Sequence, residues 1–272
     1  MRALLLAAGL GTRLQPLTNH LPKCMVPIHG RPLLDYWLEN LLDQGIDEVL
    51  VNTHYMAPIV VQFLQNSTWK DRVRLVHEEK LHGTGGTIIK NRAFFRDETC
   101  MVAHADNLTI FDFADFARCH VARPMDAVMT LMVFETTDPT SCGIVELDAR
   151  GVVQAFHEKV KNPPSNLANA AVYILEPSVL NMMASLGKDE LDFSTAVIPN
   201  FLGKMFAYRN TAYHRDIGNI ISWVTANRDF PISPANAQNC IAWSKILSKN
   251  KGEIEDSINQ LLTDVGAANA RP

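Results

Sequence analysis

The sequence predicts an α/β fold: a three-layer α/β/α domain over residues 1–230 on a mixed, mostly parallel sheet, with a short C-terminal helical appendage over 231–272. Three observations carry this. Short apolar runs alternate with segments of helical period through the first half, the pattern of parallel strands covered on both faces. Gly9, Glu78 and Asp106 each fall just past the carboxyl end of such a run, where open α/β sheets hold their ligands. After Phe230 the texture changes, and "PISPANAQN" reads as a linker.

Ala3 to Ala8 is short, apolar and ended by glycine, a buried strand. Gly9 to Pro32 is a long loop rich in Gly, Pro, Thr and Asn, and long loops inside compact domains are usually functional. Pro32 opens a helix with Leu34, Trp37, Leu38, Leu41 and Leu42 on one face, and Gly45 stops it. "DEVLVN" is the next strand, Met56 to Gln65 a helix, Arg72 to His77 an alternating strand, Thr84 to Phe95 a helix and Thr99 to His104 a strand. The second half is richer in strands: "DAVMTLMVF", "CGIVELD", "VVQAFHEK" and "NAAVYIL", with a hairpin turn from Asp148 to Gly151. Helices are expected over 177–186 and 194–202, a last strand in "AYHRDIG", and a helix from Asn219. Ile241 to Val265 then reads as one amphipathic helix and "GAANARP" as a disordered tail. Trp37, Phe94, Phe95 and Phe116 are assigned to the core.

Composition narrows the function. The formal net charge is −4, without the basic excess of a nucleic-acid binder. No apolar stretch is long enough to span a bilayer. The run from Ala3 to Leu10 is short for a signal peptide and leads straight into Arg13. The five cysteines are odd in number and share no CxxC spacing. Free thiols and a cytoplasmic location fit them, and a zinc site or disulfide framework does not. Cys24 beside Lys23 reads as a packed thiol, and His77, His82, His104 and His214 as polar lining or surface.

The opening, "LLLAAGLGTRLQPLTNHLPK", is informative by elimination. A dinucleotide fingerprint needs a third glycine where Leu14 stands, and a Walker loop needs Gly-Lys-Ser/Thr, which is absent. A glycine-rich loop with two cations remains. Its small residues let backbone amides approach a triphosphate. Arg13 adds a forked cation and Lys23 a point charge.

"LLLAAGLGTRLQPLTNHLPKCMVPIHGRPLLDY" resembles the signature of the sugar-1-phosphate nucleotidylyltransferases of the mannose-1-phosphate guanylyltransferase type. The resemblance extends to about residue 229 and implies a Rossmann-like nucleotidyltransferase domain. It also implies joining of a nucleoside triphosphate to a sugar 1-phosphate with release of pyrophosphate. By resemblance, Arg13 holds the β,γ-phosphates and Lys23 the α-phosphate region. The backbone of Leu6, Ala7, Ala8 and Gly9 faces base and ribose, and Gly11 and Thr12 complete the cradle. Asp106 in "VAHADNL" and Asp216 in "HRDIGN" match the family's magnesium pair, although Ala105 stands where the family has glycine. "FHEKVKNPPSNLANAAVYIL" matches the sugar-binding stretch. There Glu158 and Asn169 would bind hydroxyls and Lys159 the sugar phosphate. Ala171 replaces a common glycine and leaves the sugar open. The resemblance does not reach the C-terminal helices.

"HEEKLHGTGGTI" matches the base-reading loop. Uridylyl and thymidylyl members carry glutamine where Glu78 stands. An amide suits a pyrimidine imide, whereas an ionised carboxylate only accepts. Guanine offers two adjacent donors, so Glu78 favours GTP. Gly83, with Gly85 and Gly86, would let backbone approach base or ribose, and Thr84 belongs to the same nucleotide loop. Mannose 1-phosphate is the expected acceptor. A manno-heptose 1-phosphate, UTP with an N-acetylated sugar such as N-acetylmuramic acid, and a non-catalytic nucleotide-sugar sensor stay open. So does homo-oligomerisation.

Overall fold

Hydrophobic periodicity becomes strand pairing in the computed structural model, which describes residues 1–249 and 252–268. In chain order the strands are β1 (Arg2–Leu6), β2 (Pro27–Ile28), β3 (Arg31–Pro32), β4 (Glu48–Thr53), β5 (Val73–His77), β6 (Cys100–His104), β7 (Asn107–Ile110), β8 (Met129–Glu135), β9 (Gly143–Leu147), β10 (Val153–Glu158), β11 (Leu167–Leu175), β12 (Met205–Arg209) and β13 (Tyr213–Asp216). The helices are α1 (Leu33–Leu42), α2 (Ala57–Asn66), α3 (Gly83–Lys90), α4 (Phe113–Val121), α5 (Pro177–Ser185), α6 (Ile220–Asp229), α7 (Ala237–Lys249) and α8 (Glu253–Ala268).

One nine-stranded sheet runs β10-β9-β11-β6-β1-β4-β5, with β8 bridging β11 and β12. The β6-β1-β4-β5 half is parallel. β11 runs against its neighbours β6, β8 and β9. β1 lies between β4 and β6, and its side chains alternate between two cores. Ala3 and Leu5 join the one under α1 and α2, while Leu4 joins the one under α3 and α5. This is the period-two division that a strand buried on both faces requires. On α1, Leu34, Trp37, Leu38, Leu41 and Leu42 are all buried, as their spacing predicts.

The departures have local causes. β1 ends at Leu6, short of Ala8. The long loop is not featureless. Three short 3₁₀ turns bury Leu14, Leu17, Cys24 and Met25, and the β2–β3 hairpin follows. The helix expected over 84–95 stops at Lys90 and continues as a 3₁₀ turn over Arg92–Phe95. The segment 194–202 forms a π turn (Phe193–Val197) and a 3₁₀ turn (Ile198–Phe201) around Pro199, which has no N–H to donate. β7 and β12 are strands that the sequence pattern did not predict. β13 pairs with β7 in a separate two-stranded sheet. The single helix expected over 241–265 is α7 and α8, and Gly252 (φ +82°) precedes α8. Gly266 to Ala268 belong to α8, whereas the rest of the expected disordered tail lies outside the described residues.

The C-terminal helices share the main core. Ala242, Trp243, Ile246 and Ile254 belong to the cluster that holds Leu5 and Trp37. Trp243 meets Phe63 of α2 edge-on at 6.5 Å. A buried carboxylate fixes the joint. Asp35 accepts from Arg31 Nε at 2.5 Å, Trp69 Nε1 at 2.6 Å and Asn239 Nδ2 at 2.8 Å. Asn239 Oδ1 in turn accepts from Thr68 N at 2.9 Å. Buried charge is tolerated only when so paired.

Asn239→Ala leaves the Thr68 N–H unpaired and removes a donor from Asp35. The expected outcome is a loss of about 1–3 kcal/mol in stability, read by chemical denaturation. An unchanged midpoint would show that α7 is not held there.

Candidate active site

The parallel half of the sheet delivers its chemistry at one edge. β1, β4 and β6 all end there, and Ala7, Asn52 and Asp106 stand at or just beyond their carboxyl ends. The loop after β1 folds back across this edge. Gly11 makes that fold: its φ is +66°, and a Cβ there would lie 2.8 Å from Thr18 Cγ2 and 3.1 Å from Lys23 Cβ. The Gly11 carbonyl accepts from Leu14 N and from Thr18 Oγ1, each at 2.8 Å. Thr12 and Arg13 remain exposed, and Arg13 forms no ion pair among the described residues.

Lys23 is 7% exposed. Its ammonium lies 2.5 Å from Asp106 Oδ2 and 3.8 Å from Asp216 Oδ1. Asp106 sits in the turn between β6 and β7, and Asp216 is the last residue of β13. Asp216 pairs with Asn107 in the β13–β7 register, and Ile217 N donates to Asp106 O at 3.1 Å. Gly218 lies close beside them: a Cβ there would meet Asp216 Oδ2 at 2.7 Å, and the carboxylate would have to move. Burial works to raise the Asp106 carboxyl, but Lys23 and then His104 outweigh it and hold it below the usual range. Asp216 is held above that range, by exclusion of solvent and then by Asp106, against Lys23 and Arg13. No group of three metal-ligating side chains occurs among the described residues. Asp106 and Asp216 nevertheless reach a single cation, the Lys23 ammonium. Two hard oxygen donors suit magnesium when substrate phosphates complete its shell.

Glu78 is 5% exposed. Its Oε1 accepts from Asn52 Nδ2 at 3.1 Å and Thr87 Oγ1 at 2.6 Å, while the buried Oε2 has no partner. The glycines after it have a role within the fold. A Cβ at Gly83 would lie 2.7 Å from Leu191 O, and one at Gly86 would lie 2.9 Å from Asp189 O. Gly85 N and Gly86 N both donate to Leu191 O. The close approach they permit here is to the 189–191 backbone, where base or ribose was expected. Thr84 Oγ1 likewise accepts from Phe193 N at 2.7 Å.

At the other end, Asn169 Nδ2 donates to Tyr173 Oη at 2.7 Å, and Asn169 Oδ1 accepts from Ala171 N at 3.1 Å. Ala171 has φ +53° and sits in the irregularity of β11 between Asn169 and Tyr173. Asn107 Nδ2 holds Ala170 O at 2.9 Å, which ties this bulge to the Asp106 turn. Glu158 and Lys159 form their own pair at 3.5 Å. A Cβ at Gly143 would meet Glu158 Oε2 at 2.9 Å. Cys24 is buried and its thiol is pushed up to about 12, first by burial, so it stays protonated. Asn52 and Thr87 went unnoticed in the sequence. The available signal was a polar residue ending an otherwise apolar strand in "VLVN".

The nucleotidyl transferase family model matches residues 2–231. A mannose-1-phosphate guanylyltransferase of Mycobacterium tuberculosis is 32% identical over 256 residues, covering 92% of this chain and 68% of that protein. A glucose-1-phosphate adenylyltransferase of Fervidobacterium nodosum is 28% identical over 258 residues, covering 86% of this chain and 62% of that protein. Other curated relatives are spanned over as little as 54% of their length. The crystal structure of HddC from Yersinia pseudotuberculosis complexed with GMP-PN superposes with a TM-score of 0.72 at 26% identity, covering 85% of this chain and 99% of that one. No helix among the described residues is long and apolar enough to cross a membrane.

Beside the carboxylates, burial pushes His214 from its ordinary 6.5 down to about 3, against the pull of Asp106. Its Nδ1 lies 2.8 Å from Thr109 Oγ1. The unfolded chain therefore binds this proton more readily than the folded one. The stability from neutral His214 is complete above about pH 6.5 and is lost as the pH falls toward 3. Urea denaturation at several pH values should show a shallower acid loss for His214→Asn than for wild type. Parallel curves would contradict the shift.

Proposed function

The chain belongs to the nucleotidyl transferase family, and we propose that it joins GTP to mannose 1-phosphate, giving the GDP-sugar and pyrophosphate. The observation that carries this reading is the Lys23 ammonium held between Asp106 and Asp216 at the mouth of the glycine loop. Phosphoryl chemistry calls for positioning and charge neutralisation at such a point.

In this reading a sugar-phosphate oxygen attacks the α-phosphorus in line. The new P–O bond forms as the bond to the β-phosphate oxygen breaks, and the electron pair leaves with pyrophosphate. The nucleophile is already ionised, so no general base is needed. Arg13, exposed and free of ion pairs among the described residues, takes the β,γ-phosphates. Lys23 exchanges carboxylate for phosphate around the reacting phosphorus. Lys159 takes the sugar phosphate, and Glu158 and Asn169 take hydroxyls. Asp106 and Asp216 would hold magnesium, which supplies Lewis-acid neutralisation of the phosphates. The amides from Leu6 to Gly9, with Gly11 and Thr12, form the cradle. Glu78 reads the base. Its unpaired Oε2 is a buried acceptor without a donor, and the two adjacent N–H groups of guanine would satisfy it. Gly83 and Thr84 shape this wall through Leu191 and Phe193.

Two substitutions test the reading. Asp106→Asn should reduce magnesium-dependent pyrophosphate release at least about 10²-fold while thermal unfolding stays cooperative. Turnover near the wild-type rate would remove Asp106 from the machinery. Glu78→Gln should lower the preference for GTP over UTP about tenfold or more. An unchanged ratio would remove the argument for guanine.

A further inference from the structure

Asn52 occupies a position that the chemistry above does not use. It lies next to the end of β4, is 2% exposed, and lies level with Leu6 in the β1–β4 register. Its Oδ1 accepts from Ala7 N at 2.7 Å. The same amide donates through Nδ2 to Glu78 Oε1 at 3.1 Å. The orientation of the amide is dictated by its partner: a backbone N–H can only donate, so the oxygen must face Ala7 and the NH₂ must face Glu78. One side chain thereby couples the first residue of the phosphate loop to the base-wall carboxylate.

The coupling fixes the orientation of the Glu78 carboxyl. Thr87 Oγ1 also approaches Oε1, at 2.6 Å, nearer than the other acceptor in reach of its one proton, Gly83 O at 3.1 Å. Two donors directed at Oε1 keep that oxygen an acceptor and leave Oε2 as the unpaired one. The Glu78 backbone is held separately, by N–H to Thr53 O at 2.8 Å and by a 2.7 Å contact of its carbonyl with His54 Nδ1. With the backbone pinned and Oε1 occupied, the direction of Oε2 is set.

We infer that Asn52, seconded by Thr87, is a positioning residue for base selection: it keeps Glu78 Oε1 engaged and leaves Oε2 as the acceptor for a base edge that offers two donors. This rests on the reading of Glu78 as the base reader. Asn52→Asp is close to isosteric and keeps an acceptor for Ala7, but it turns an oxygen toward Glu78 Oε1. The facing carboxylates then repel or share a proton, and the hold on Oε1 is lost.

The test is calorimetric titration of the full chain with GTP and with UTP, in magnesium. The proteins are wild type, Asn52→Asp, Thr87→Val, Glu78→Gln and the Asn52→Asp/Glu78→Gln double variant. The expected result is a fall of about tenfold in the GTP-over-UTP ratio of dissociation constants for Asn52→Asp. Thr87→Val should move the ratio the same way. Asn52→Asp should add no further change when Glu78 is already glutamine. Equal weakening of both nucleotides, in both backgrounds, assigns Asn52 to structure alone and overturns the inference. If Glu78→Gln shifts the ratio but Asn52→Asp and Thr87→Val do not, the tether falls and the base reading stands. If Glu78→Gln leaves the ratio unchanged, the base reading falls and the tether with it.

Discussion

The ion pair between Lys23 and Asp106, with Asp216 beside it, is the constraint around which the rest of the site is built. Asp216 sits above its ordinary range, first because it is shielded from solvent and then because Asp106 repels it. A cation between them makes the arrangement tolerable. That cation has to come from a loop that leaves β1, travels outward and returns. Gly11 permits the return because no side chain stands between Thr18 and Lys23. Leu14, Leu17 and Leu21 secure it by burying themselves completely or nearly so. The pairing of β13 with β7 then brings Asp216 in from a segment remote in sequence.

The C-terminal helices take part in the same scheme from behind. Leu14 and Leu17 lie in a cluster with Trp223 of α6, against which Ile258, Leu261 and Leu262 of α8 pack. Asp35, at the start of α1, holds α7 through Asn239. The glycine loop therefore has the sheet edge on one side and α6 and α8 on the other. The appendage is joined to the body by buried polar bonds as well as by apolar area. A direct bond of that kind is lost whole when its geometry slips, whereas apolar contact degrades gradually.

Much of the parallel half was legible in the sequence, because β1, β4 and β6 are apolar runs ended by Gly9, by the polar Asn52 and His54, and by Asp106. The convergence of Lys23, Asp106 and Asp216 was legible only through the family resemblance, since nothing in local spacing joins three residues so far apart in the chain. Where sequence reasoning misplaced a cause, the reason was long-range contact. Gly83, Gly85 and Gly86 look like a ligand-facing run, yet the backbone they admit belongs to residues 189–191. Asn52 lies next to the end of β4 and carries no motif, so its bonds to Ala7 and Glu78 become visible only once three chain segments are side by side. β7 and β12 were not read from the sequence.

The most direct measurement is magnesium-dependent pyrophosphate release from GTP, UTP, CTP, ATP and dTTP, each paired with mannose, glucose, N-acetylmuramic acid and manno-heptose 1-phosphates. The account predicts release with GTP and a manno-configured sugar 1-phosphate. Release with UTP alone would keep nucleotidyl transfer and overturn the role given to Glu78. No release from any pair, by folded protein that still binds nucleotide, would contradict the account and make the chain a nucleotide-sugar sensor.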